Sequence, residues 1–68
     1  MDPGLHKRFL DYRDSYVYFG KETGRPALTV DEFTTADAEQ RALAARGDGR
    51  DDEEEARFVE LCRILFRD

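Results

Sequence analysis

The chain has 68 residues, with 16 acids against 11 bases for a formal charge of −5, and apolar and charged residues each make up 40% of it. A chain this short has room for one small domain, here 1–68, and none for a cleft between two lobes. No apolar run approaches the roughly 18–20 residues of a bilayer span, and the stretch 1–9, with Pro3, His6, Lys7 and Arg8, lacks the apolar centre of a secretory signal. Cys62 is the sole cysteine, so no intramolecular disulfide can form, and with His6 as the sole histidine there is no ligand set for structural zinc. A single thiol suits a reducing, cytoplasmic setting. No cofactor or metal is expected. Stability has to come from packing, within one chain or between chains.

The first predicted element is a helix over 3–19. Asp2 can cap it, and Pro3 suits the first helical position, where its missing N–H would be unpaired anyway. Leu5, Phe9, Tyr12, Tyr16 and Phe19 step by four, three, four and three, one stripe of a 3.6-residue period. Gly20 then stands where a left-handed cap is wanted. Against this, Tyr16-Val17-Tyr18-Phe19 are four strand-formers in a row, and a hairpin pairing 15–19 with 25–30 is the competing reading. Pro26 would lack a donor in that second strand, which favours the helix.

Thr29-Val30-Asp31-Glu32 matches a capping box, with Leu28 and Phe33 at the spacing of a hydrophobic staple. The second helix is expected over 30–46, stopping at Gly47. Val30, Phe33, Ala36, Leu43 and Ala44 share a face, interrupted by Asp37 and Gln40. The third helix is expected over 51–67, capped by Asp51 or Asp52. Glu53-Glu54-Glu55 sit at its dipole-favoured end, Arg63 and Arg67 at the other, and Glu53 and Arg57 are placed to pair at i,i+4. Only Gly47–Arg50 joins helices two and three, which predicts an antiparallel αα-hairpin. The predicted fold is all-α, a small three-helix domain around Phe9, Tyr12, Phe33, Leu43, Phe58, Leu61, Cys62 and Leu65. The alternative is α+β, with the hairpin preceding two helices.

Little here carries chemistry. Cys62 lies mid-helix on an apolar arc, the setting of a core thiol rather than of a nucleophile. His6 has Phe9 and Leu10 at i+3 and i+4 and no second ionisable partner, so it is read as a surface histidine. The run 48–55 holds six carboxylates, but counted from Asp48 its sixth and twelfth positions are Glu53 and Val59, not the glycine and glutamate of an EF-hand loop. No nucleophile–base pair or glycine-rich phosphate loop is present. The chain is therefore expected not to be an enzyme.

The apolar residues of helix three, Phe58, Val59, Leu61, Cys62, Leu65 and Phe66, span nearly half its circumference, and Ile64 widens the arc beyond the roughly 100° stripe of a one-sided helix. Tyr18 falls opposite Phe9, so at least one tyrosine of the Tyr12, Tyr16, Tyr18 group is exposed or meets a partner. The expected function is a regulatory or adaptor module that self-associates as a homodimer or docks onto a larger protein. Its candidate interface is Phe58, Val59, Cys62, Ile64, Leu65, Phe66, Tyr16 and Tyr18, with helix three at the seam. Two alternatives stand beside it. One is an acidic inhibitor or nucleic-acid mimic that meets a basic partner through 48–55. The other is a helical DNA-binding regulator using Lys7, Arg8, Arg13, Lys21 and Arg25. The acidic total disfavours both nucleic acid and anionic membranes.

Overall fold

A computed structural model describes residues 2–67. Three α-helices follow in chain order, α1 (Pro3–Thr23), α2 (Val30–Arg46) and α3 (Asp52–Ile64), with a single 3₁₀ turn at Gly47–Gly49 and no strand among the described residues. The all-α three-helix class follows from the periodicity, and the alternative hairpin at 15–19 and 25–30 is not formed. The chain divides into two compact units at Thr34 and Thr35, inside α2.

In the first unit, the Asp2 carboxylate accepts from the N–H groups of Gly4 at 2.9 Å and Leu5 at 3.2 Å, with Pro3 at the first helical position. The helix does not stop before Gly20, where the sequence places its end. It runs on to Thr23, and Gly24, at φ 67°, is the left-handed cap. Gly20 serves packing instead. A Cβ built there would come within 2.6 Å of the Tyr16 ring, so glycine lets that ring lie flat against the helix backbone. Thr23 closes the helix end, its hydroxyl donating to the Gly20 carbonyl at 2.7 Å and accepting from the Arg25 N–H at 3.2 Å.

The connector that a hairpin would have used is bound instead by α1 tyrosines. Tyr16 Oη donates to the Arg25 carbonyl at 2.5 Å, and the Leu28 N–H donates to Tyr12 Oη at 3.0 Å. These bonds occupy backbone groups that strand pairing would have needed. The Thr29–Glu32 capping box forms as predicted, with the Glu32 N–H on Thr29 Oγ1 at 3.2 Å and the Thr29 N–H on Glu32 Oε1 at 2.9 Å. The backbone N–H of Thr29, followed by its hydroxyl, holds the Glu32 carboxyl below its ordinary pKa. The core of this unit is aromatic. Phe33 is fully buried, edge-on to Phe9 at 5.2 Å between centroids and 5.5 Å from Tyr12.

In the second unit, α2 ends where glycine was expected to end it, with Gly47 at φ 52°. Asp51 caps α3 in a second capping box, its carboxylate taking the Glu54 N–H at 2.8 Å while Glu54 Oε1 takes the Asp51 N–H at 3.2 Å. The third helix stops at Ile64, short of the expected 67. Phe66 adopts φ 58°, and two bonds close the end: the Arg67 N–H to the Cys62 carbonyl at 2.8 Å and the Phe66 N–H to the Arg63 carbonyl at 3.3 Å. This is a Schellman turn with phenylalanine in the position usually held by glycine. Leu43, Leu61, Cys62 and Leu65 are buried, and Phe58 is half-buried under the Arg50 guanidinium, 4.1 Å from its ring centroid.

Candidate functional site

The two polar residues that interrupt the α2 face are satisfied together. Arg67, turned back by the left-handed residue before it, donates to Asp37 Oδ1 at 2.7 Å and to Gln40 Oε1 at 2.8 Å. Asp37 is 2% exposed, so this ion pair meets a carboxylate removed from water. Gln40 Nε2 also points to Cys62 Sγ at 3.8 Å. The thiol is buried and packed, the setting of a structural cysteine.

The acidic run is largely absorbed by its own unit. Asp51 serves as the cap, Glu54 pairs with Arg46, and Glu55 pairs with Arg50 at 2.6 Å. Arg57 does not take Glu53, its expected i,i+4 partner. It forks onto Glu39 at 2.7 and 3.0 Å and reaches Glu60 at 3.5 Å. A bidentate carboxylate on α2 outcompetes a flexible one on the same helix because both guanidinium bonds form at once. The Arg57 hydrogen bond holds the Glu39 carboxyl below its usual range, and the same bond raises the Arg57 pKa. No group of three or more His, Cys, Asp or Glu side chains among the described residues is placed to hold a metal ion. His6 is exposed on α1.

The expected interface residues separate. On α3 and the turn after it, Cys62 and Leu65 are buried, Phe58, Ile64 and Phe66 are half-buried, and Val59 is the one large apolar residue left exposed, at 39%. On α1, Tyr16 is half-buried with its hydroxyl engaged, while Tyr18 is 78% exposed. Tyr18 has company outside the expected interface: Val17 at 72%, Phe19 at 55% and Leu10 at 45%. Phe19 belongs by its spacing to the core stripe and stands mostly in water instead, its ring 6.4 Å from that of Tyr18. Leu10 and Val17, seven residues apart, lie on one row of α1 away from the stripe of Phe9 and Tyr12. The same helical period points to that row once the apolar residues outside the stripe are counted.

The apolar surface offered to solvent is thus concentrated on α1, and α3 offers little. No described helix is long and apolar enough to cross a membrane. No protein-family model matches the chain, and no curated protein or solved structure shows significant similarity to it.

Proposed function

We propose that the chain is a non-enzymatic protein–protein interaction module, a small regulatory or adaptor protein, and that its contact surface is the outward side of α1 rather than α3. The observation that carries this reading is the exposure of Val17 and Tyr18, at 72% and 78%, beside Phe19 and Leu10. Scattered apolar residues are ordinary on a protein surface, but Val17 and Tyr18 are neighbours and Leu10 lies two turns before Val17 on the same row, which makes a patch of these three. Burying a large apolar side chain is worth about 1.5–3 kcal/mol, so a partner that covered this patch would gain appreciably. Aromatic residues are the usual anchors of such contacts, and Tyr18 is the most exposed large apolar side chain among the described residues.

The acidic-mimic reading has less to work with, because Glu54 and Glu55 are already neutralised by Arg46 and Arg50.

The test is a photo-crosslinking residue placed at Tyr18, with the same residue at Val59 as the α3 control, in cells that produce the chain. The expected result is a discrete adduct from position 18, identified by mass spectrometry and lost when Val17→Asp is added. An adduct from position 59 alone, or none from either, would overturn the reading.

A further inference from the structure

The exposed side of α1 carries its charges in an order that matches itself. At about 100° per residue, Asp14, Val17, Tyr18 and Lys21 occupy one stretch of surface, with the acid one turn before the apolar pair and the base one turn after it. All four side chains are exposed, and neither Asp14 nor Lys21 has an ion-pair partner among the described residues. Asp14 and Lys21 are two turns apart, roughly 10 Å along the axis at about 1.5 Å per residue, too far to pair with each other. Turned end for end and laid against a copy of itself, the same stretch places every acid opposite a base.

We propose that this surface is where two copies of the chain pair, antiparallel, about a two-fold axis passing near Val17 and Tyr18. Asp14 of each copy faces Lys21 of the other, Val17 packs against the second copy's Val17 on one flank of the seam, and the two Tyr18 rings meet on the other. The contact is isologous, so one charge pattern is satisfied twice. Parallel pairing would set Asp14 beside Asp14 and Lys21 beside Lys21, and the like charges would oppose it. A partner of different sequence would need a complementary pattern of its own, whereas a second copy already supplies it. The inference rests on the reading of α1 as the contact surface and names its occupant.

The test uses charge reversal on the full chain at low salt, where exposed pairs are least screened. Sedimentation equilibrium is run on the unaltered chain, on Asp14→Lys, on Lys21→Asp, and on an equimolar mixture of the two variants. The unaltered chain is expected to dimerise, and each variant alone to self-associate about tenfold more weakly or worse, because both cross-pairs become like-charged. The mixture is expected to recover a dimer. One variant then carries lysine at both positions and the other aspartate at both, so each cross-pair is again of opposite charge. Recovery on mixing also separates a lost contact from a lost fold. A monomer throughout at millimolar concentration, variants that associate like the unaltered chain, or a mixture that stays monomeric would each overturn the pairing. An adduct from position 18 to a different protein, with the purified chain monomeric, would overturn self-pairing while leaving the contact surface standing.

Discussion

The two units of the chain solve the problem of a small core differently. The first, up to Thr34, holds together through rings: Phe9, Tyr12 and Phe33 pack edge and face, and tyrosine hydroxyls tie down the connector to α2. It leaves Leu10, Val17, Tyr18 and Phe19 in water. The second, from Thr35, buries mostly aliphatic side chains and is laced with arginine–carboxylate pairs: Arg46 with Glu54, Arg50 with Glu55 and Arg57 with Glu39 toward the surface, and Arg67 with the buried Asp37. Even its Phe58 lies under a guanidinium. One unit therefore satisfies its own surface and the other does not. Surplus apolar residues in a sequence do not locate exposed apolar surface; it matters whether neighbouring long side chains fold over them.

The contrast can be broken most forcefully at the centres of the two units. Phe33→Ala, at a fully buried ring, is expected to cost about 3–5 kcal/mol, and Leu61→Ala, equally buried, about 2–5 kcal/mol. Urea denaturation followed by circular dichroism measures both. Losses below about 1 kcal/mol at either site would mean that the site is not a packed centre.

Arg67→Met is expected to cost about 1–3 kcal/mol, because it removes charge-assisted bonds from a buried carboxylate while keeping most of the stem's packing. The Phe33→Ala loss should change little between low and high salt, since it reflects packing, whereas any salt dependence belongs to the ion-paired unit.

A smaller effect has a telling sign. Glycine to alanine within a helix ordinarily gains about 0.5–1 kcal/mol. At Gly20 the new methyl would meet the Tyr16 ring, so Gly20→Ala is expected to lower the melting temperature. A raised melting temperature would show that the ring moves aside freely.

The smallest expected effect is in acid. Glu39 has a lowered pKa in the fold, chiefly through its bond to Arg57. The unfolded chain therefore binds its proton more readily, and the stability that Glu39 contributes is present above about 4.5 and lost as pH falls through the lowered folded value. Denaturation midpoints measured from neutral to strongly acidic pH should fall less steeply for Glu39→Gln than for the unaltered chain. Parallel curves would remove Glu39 from the acid response.

Helix starts were legible in the sequence, because Asp2, Thr29 and Asp51 bond to backbone groups within a few residues and need no tertiary contact. Helix ends were not, because they depend on what the termini touch. Gly20 reads as a stop until the Tyr16 ring is laid on it, and Phe66 gives no sign that it will take a left-handed conformation. The position of Arg67 over Asp37 and Gln40 follows from that turn, so the meaning of two polar residues on the α2 face was hidden with it. The core followed from periodicity alone, apart from Phe58. Which apolar residues stay exposed was harder to read, since the width of the α3 arc said nothing of Arg50 covering Phe58, and Val17 lay in a run of strand-formers that pointed to a hairpin.

The most direct experiment is a dilution series of the ¹⁵N-labelled chain from millimolar to micromolar concentration, read as backbone amide shifts residue by residue. Self-pairing through α1 requires concentration-dependent shifts confined to residues 10–22, strongest at Val17 and Tyr18, with residues 57–66 unmoved. Shifts centred on 57–66, or a spectrum that does not change on dilution, would contradict it.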